Sequence, residues 1–484
     1  MSSTLRLIRA FGGRHPHPRG DDLSAQHKSR RTAVLRQGGK GFKQIFPTVG
    51  SYDRIMNRSL RAFLADLYRI AVVQAHPASC LPPLLPPPPT GRLVLLAAGK
   101  AAGSMSEVAE ANYLDQLRIP SEHISGVAVA RHGYGRPLRR VRMIEAGHPI
   151  PDAAGLEGAE LAITLADGAN VNDLVLVLMS GGASANWIAP AEAISFGDKQ
   201  AITRALLRSG APIGEINTVR KHLSRIKGGR LALHAHPAKV ITIAISDVPG
   251  DELSAIGSGP TVPDPTTLQD ARAIIAKYDL DAPDSVKRAL NDPKNETPKP
   301  DDPIFAGNEV ALAARPADSM QAAEAAVRKA GYDCVLLGDR IEGEAREVAA
   351  AHATLARDLR AQGKRAVLLS GGELTVTIRG NGRGGPNQEY ALALAAGLAG
   401  MPAVAAIAGD TDGTDGGGGA ATDPAGALVD GESVARAKGR GLDPAAFLAD
   451  NNSTAFFEAL GDLLVPGPTY TNVNDFRAIV VDTP

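Results

Sequence analysis

The segment Arg92-Leu-Val-Leu-Leu-Ala-Ala-Gly-Lys100 carries six consecutive apolar residues, then a glycine and a lysine, and leads straight into Ala101-Ala-Gly-Ser-Met105. A short continuous apolar run that ends on a turn reads as a strand buried on both faces, followed here by a helix. The rhythm recurs along the chain. Residues 174–179 end in Ser180-Gly181-Gly182, and 240–245 end in Ser246-Asp247. Residues 366–369 end in Ser370-Gly371-Gly372, and 403–408 end in Gly409-Asp410. Apolar strands alternating with helices predict an α/β chain with a largely parallel sheet covered on both sides. Ligands of such sheets bind beyond the carboxyl ends of the strands, where all five polar turns fall.

The 484 residues are enough for two or three domains, each with its own core. Segment 54–76 places Leu60, Phe63, Leu64, Leu67 and Ile70 at helical spacing, and Pro82 to Pro89 form a stiff connector. The charged, proline-rich segment 291–303 (NDPKNETPKPDDP) is the best boundary between domains. A larger, Rossmann-like α/β domain is expected over 54–300 and a smaller α/β domain over 304–484. Residues 1–50 hold ten Lys/Arg against Asp21 and Asp22, without apolar periodicity, and are expected to be a disordered basic extension. Met56 is an alternative start, and Gly12-Gly13 and His15-Pro16 interrupt any transit-peptide helix.

Composition narrows the class. Lys+Arg and Asp+Glu balance at 52 each, so with a basic tail the body is mildly acidic, which argues against a nucleic-acid binder. Aromatics at 4% leave few platforms for stacking bases. No run of about 18 apolar residues predicts a membrane span. Cys80 and Cys334 form no metal or redox spacing, and a cytoplasmic setting is expected.

Chemistry concentrates in the turns. Residues 373–379 (ELTVTIR) alternate as a half-buried strand does, and they lead into Gly380-Asn-Gly-Arg383-Gly384-Gly385 and a helix from Asn387. Gly380-x-Gly382-x-x-Gly385 formally meets the dinucleotide fingerprint. The polar Thr375, Thr377 and Arg379 do not suit the buried strand that fingerprint needs, and Arg383 suits phosphate. A phosphate cradle over Ser370, Gly371, Gly372, Gly384, Gly385, Asn387 and Glu389 is therefore expected, with nicotinamide binding as the alternative. Lys100 at a helix mouth can neutralise a moving phosphoryl group, although the spacing is not that of a Walker A loop. Ser180, Gly181, Gly182 and Ser184 offer backbone N–H groups and hydroxyls. Segment 216–232 (INTVRKHLSRIKGGRLA) gathers cations, with Arg220 and Lys227 able to share a face toward an anion. Asp247 and the aspartates of 410–415 are turn carboxylates, Asp410 and Asp412 being candidate magnesium ligands.

Taken in order, these strings resemble the MOFRL-type glycerate 2-kinase family, members of which have also been labelled hydroxypyruvate reductase. The resemblance rests on AAGKAAGSM at 97–105, EAGHPIPD at 145–152, LMSGGASA at 178–185, INTVRKHLSRIKGGRLA at 216–232 and ISDVPGDELSAIGSGPTVPDP at 245–265. It continues through LLSGGELTV at 368–376, GRGGPNQEYALALA at 382–395, AGDTDGTDG at 408–416 and GPTYTNVNDF at 467–476. It implies transfer of the ATP γ-phosphate to the 2-hydroxyl of D-glycerate, with magnesium and with no nicotinamide, and it leaves room for a homo-oligomer. It also implies Lys100 and a basic loop residue as the main active-site cations; given that activity, the residues themselves suggest Asp247 or Asp410 to hold magnesium or orient the hydroxyl, and Arg220 to anchor the glycerate carboxylate. The family loop reads GGRNQE where this chain has Pro386, so Arg383 is expected to supply that charge. NNST at 451–454 likewise replaces NNDS. The rival expectation is an NAD(P)H-dependent hydroxypyruvate reductase.

Overall fold

The computed structural model describes residues 59–482 apart from 249 and 417–419, so the basic extension and Met56 lie outside the described residues. Strand β1 (Leu93–Ala98) sits in the middle of a six-stranded sheet with β2 (Ile124–Arg131), β3 (Val141–Ala146), β4 (Leu174–Met179), β5 (Lys239–Ile245) and β6 (Glu309–Ala314). The order is β3-β2-β1-β4-β5-β6 and every pairing is parallel. Branched and long aliphatic side chains on alternate positions feed two cores. Val94, Leu96, Val175 and Val177 face one side with the helix Ala153–Asp167, and Leu93, Leu95, Leu174 and Leu176 face the other with Ala102–Glu110. A separate helical cluster, built on Ile202, Leu206, Val219, Leu268 and Val286, projects from the span between β4 and β6.

A second sheet gathers β7 (Asp333–Gly338), β9 (Ala366–Gly372), β11 (Val404–Asp410), β12 (Gly426–Asp430), β13 (Leu463–Leu464) and β14 (Asp475–Val481) in the order β13-β12-β11-β14-β9-β7. Here the expected parallel pattern fails. Only β7 and β9 run parallel, because β14 inserts antiparallel between β9 and β11. The insertion leaves β9 and β11 pointing the same way, so their carboxyl ends still share one edge. Asp475, at the start of β14, pairs with Gly372 on one side and Asp410 on the other. A further pair, β8 (Gly343–Glu344) with β10 (Leu374–Thr375), is all that forms of the strand expected over 373–379. Glu344 accepts the Thr377 N–H, and Asn451 Oδ1 accepts the N–H groups of Arg379 and Gly380. Side chains replace the ladder, and Ile378 is left 80% exposed.

The sheets do not divide the chain at residues 300–304. Strand β6 completes the first sheet from beyond that boundary. The helix Leu60–Ala75, capped by the Ser59 hydroxyl on the Ala62 N–H, covers the second sheet from the amino-terminal side. Its Phe63, Leu64, Leu67 and Val72 pack with Val327, Leu369, Ile407 and Phe476. Arg61 pairs with Asp430 at 2.6 Å and Asp462 at 2.5 Å. Among the described residues no helix is long and apolar enough to cross a membrane. Leu67 is fully buried in this contact, so Leu67→Ala is expected to destabilise the protein by about 3 kcal/mol in denaturant titration.

Candidate active site

The carboxyl ends of the two sheets face one another, and a buried ion pair joins them. Lys100, one residue past the Gly99 turn, reaches Asp412 in the turn after β11, with Nζ 2.7 Å from Oδ2. Lys100 is 12% exposed and Asp412 1%. Asp412 holds Lys100 above the ordinary lysine range despite burial, and Asp412 is itself held low by Lys100. Both shifts favour the charged pair. Arg131, ending β2, lies 3.5 Å from the same carboxylate oxygen and donates to Thr414 Oγ1 at 3.1 Å. The Tyr134 hydroxyl donates to the Asp412 carbonyl at 3.0 Å, with the Arg131 guanidinium 4.8 Å from its ring centre.

The backbone around Lys100 is set by glycines and a serine. Gly99 has φ +113°, which lets the chain turn against the Ser180 and Gly181 carbonyls. The Lys100 N–H donates to the Gly181 carbonyl at 2.8 Å, and the Ala101 N–H donates to Ser180 Oγ at 2.9 Å. A Cβ on Gly181 would collide with Asp247 Oδ2 and Asn472 Nδ2. Gly182, with φ +85°, packs against the His148 ring and the Lys100 stem. Asp247, past β5, is fixed by Asn472 Nδ2 at 2.7 Å and by Asn474 Nδ2 on its carbonyl at 2.5 Å.

Three carboxyl groups here are raised by burial. Burial pushes Asp247 up, partly offset by Lys100. Burial and the Asp412 charge push Asp410 well above the carboxylate range. Glu373, following β9, is raised by burial and by Asp247 and Asp475, with Lys100 opposing. His148 is held neutral, down to about 3, by burial and by the Lys100 and Arg131 charges.

Lys100, Gly181, Gly182, Asp247, Asp410 and Asp412 thus lie together. Ser184 stands two residues beyond Gly182, where Lys227 Nζ donates to its carbonyl at 2.9 Å and lies 3.3 Å from its hydroxyl. Arg220 and Lys199 belong to the same cluster of cations. The glycine loop behaves differently from its expectation. The Arg383 side chain is 71% exposed and, among the described residues, pairs only with the exposed Glu458, at 3.7 Å, so it does not join Lys100. Cβ atoms at Gly380, Gly382 and Gly384 would strike residues 450–453, so these glycines serve the packing of two loops. At the mouth of the helix Pro386–Leu398 the anion seat is already filled. Asp415 accepts from the Asn387 N–H at 3.0 Å and the Gln388 N–H at 2.8 Å. Burial pushes this carboxyl up to about 7. The Asn387 side chain bonds Asp475, and Glu389 pairs with Arg346 at 2.6 Å. Ser370 and Gly371 are tied to Arg477.

Among the described residues no three His, Cys, Asp or Glu side chains converge as metal ligands. Asp412 is committed to Lys100, Arg131 and Thr414 rather than free for magnesium. Asp410 uses Oδ1 on the Asp412 N–H, and its Oδ2 receives no hydrogen bond among the described residues. One such buried carboxylate fits a magnesium ion that keeps water and phosphate oxygens as its other ligands. Arg131, His148, Asn472 and Asn474 were missed in the sequence. Arg131 could have been found, because it ends an apolar strand as Lys100 nearly does.

Residues 63–291 match a family described as a domain of unknown function (DUF4147), and residues 366–475 match the MOFRL family. The chain is 46% identical to an Agrobacterium vitis protein named "Putative hydroxypyruvate reductase", over 87% of this chain and 95% of that one. It is 40% identical to glycerate 2-kinase of Pyrococcus horikoshii, over 81% of this chain and 88% of the relative. The crystal structure of glycerate kinase from Thermotoga maritima superposes with a TM-score of 0.77 at 37% identity, covering 87% of this chain and 99% of that one. With its matched domains, identity and fold, the chain belongs to the glycerate kinase family that joins a DUF4147 domain to a MOFRL domain.

Proposed function

We propose that this protein transfers the γ-phosphoryl group of ATP to the 2-hydroxyl of D-glycerate, giving 2-phosphoglycerate and ADP. The observation that carries the proposal is the buried Lys100–Asp412 pair at the facing strand ends, flanked by Arg131 and Asp247. Phosphoryl transfer asks little covalent chemistry of a protein and much positioned charge. Lys100 and Arg131 supply that charge from strand ends, and Arg131 stands where Arg383 was expected. Asp247 is locked by Asn472 and sits against Gly181, which suits it to orient the acceptor hydroxyl and take its proton. Ser180 to Gly182 bring backbone close to the reacting groups. Asp410 would hold magnesium, which neutralises phosphate charge when bound. A reductase reading finds less support, because the formal dinucleotide loop packs on residues 450–453 and its helix mouth holds Asp415.

Lys100→Ala is expected to lower kcat by at least about a hundredfold, followed by ADP release with D-glycerate as acceptor. Near-normal turnover removes Lys100 from the mechanism. NMR of the product should show 2-phosphoglycerate rather than 3-phosphoglycerate, whereas steady NAD(P)H oxidation with hydroxypyruvate would support the reductase. Asp247 must be ionised to accept a proton and its carboxyl is raised above 3.8. The kcat profile should therefore fall on its acid side above the ordinary aspartate range, and Asp247→Asn should abolish that limb.

A further inference from the structure

The basic segment between β4 and β6 settles its charges unevenly. Lys221 pairs with Asp264 at 3.4 Å, His222 with Glu296 at 3.1 Å, and Arg225 with Glu160. Arg230 donates to the Lys294 and Glu296 carbonyls. Three other cations have no carboxylate within ion-pair distance among the described residues. Lys199 Nζ donates to the Arg220 and Leu223 carbonyls at 3.2 and 3.0 Å, where the helix Ile213–His222 ends. Lys227 Nζ meets only Ser184, through its carbonyl and hydroxyl. The guanidinium of Arg220, half-buried, has no hydrogen bond or ion pair among the described residues. Burying like charges together without a counterion is costly. The cost shows in Lys227, held well below the lysine range by burial and by Lys199 and Arg220. An anion on these groups would remove it.

Resting on the kinase reading for the substrate's identity, we infer that Lys227, in contact with Ser184, and Arg220, one turn along the helix face of Asn217, form the seat for the carboxylate of a small 2-hydroxy acid, apart from the centre where the phosphoryl group moves. Ser184 Oγ is held 2.6 Å from Ser258 Oγ, which reaches Asn217 at 3.5 Å, so the hydroxyl facing the anion is fixed before the ligand arrives. Ser184 belongs to the one-turn helix Ala183–Asn186, directly after Gly182, and Gly182 touches the Lys100 stem. An acid with its carboxylate at Ser184 therefore extends its short carbon chain past Gly182 toward Lys100 and Asp247. A guanidinium gives two parallel donors to a carboxylate, and the ammonium adds a third. Lys199 works from behind, as a cation at a helix end, and need not touch the ligand.

The test is calorimetric binding of D-glycerate, neutral glyceramide and inorganic phosphate to the full chain and to Arg220→Gln and Lys227→Gln, with thermal melts to confirm folding. Each variant should weaken D-glycerate about a hundredfold and leave glyceramide unchanged, while in turnover KM for glycerate rises and KM for ATP does not. Arg220 is half-exposed, so Arg220→Gln carries the test alone if Lys227→Gln fails to fold. D-glycerate binding to Arg220→Gln within about threefold of the unaltered protein overturns the inference. So does inorganic phosphate binding that depends on Arg220 as glycerate does, since the seat would then be for a phosphate end. If glycerate is not turned over but D-lactate binds with the same dependence on Arg220, the carboxylate seat stands and the kinase reading falls.

Discussion

One buried ion pair organises the facing ends of the two sheets. Lys100 comes from the first sheet and Asp412 from the second, separated by more than 300 residues of chain, yet Nζ and Oδ2 stand 2.7 Å apart. Removing both charges from water is expensive, and a buried pair often stabilises a fold no better than apolar side chains would. Its value here is positional. Arg131 and Tyr134 bind the same Asp412 turn, Asn472 and Asn474 bind Asp247 from the second sheet, and Ser104 bonds the Tyr470 carbonyl at 2.6 Å. Every one of these contacts crosses between the sheets, so the relative placement of the strand ends and the geometry of the cleft are the same constraint.

Glycine serves that constraint in two ways that look alike in sequence. At Gly99, Gly181 and Gly182 it brings backbone against the side chains of the cleft, and a Cβ would strike Ser180, Asp247 or His148. At Gly380, Gly382 and Gly384 it lets one loop lie on residues 450–453. The second set satisfies the spacing of a dinucleotide loop without its context, since no buried strand precedes it and Asp415 holds the helix mouth. Spacing alone could not separate the two uses. What separates them is which surface lies within a Cβ's length.

This explains which features were legible. The strand-and-turn rhythm located the ends of β1, β4, β5, β9 and β11, because buried strands leave continuous apolar runs whatever their partners. Strand direction was not legible: β14 is as apolar as its neighbours, and nothing in Asp475–Val481 reveals that it inserts antiparallel. The helix Leu60–Ala75 was visible from its spacing, but its docking on the second sheet depends on residues far along the chain. Lys100, Asp247, Asp410 and Asp412 were legible as candidates because they sit on turns. Arg131 and His148 were passed over because the first belongs to a strand and the second follows one. Arg383 was over-read for the opposite reason, a cation in a glycine-rich turn that in the fold points to solvent.

The Lys100–Asp412 pair also bears on how a kinase site can be ready before its phosphate arrives. An isolated buried lysine would be driven toward neutrality, as Lys227 is. Asp412 keeps Lys100 charged and aimed, so the desolvation of the ammonium is met during folding rather than during the reaction. On the kinase reading, a phosphate oxygen in the place of Asp412 Oδ2 would find Lys100 and Arg131 already converged, exchanging one anion for another with little change in net charge. On the kinase reading the internal carboxylate would hold the place of a phosphate, with the cations kept where a transferring group would require them.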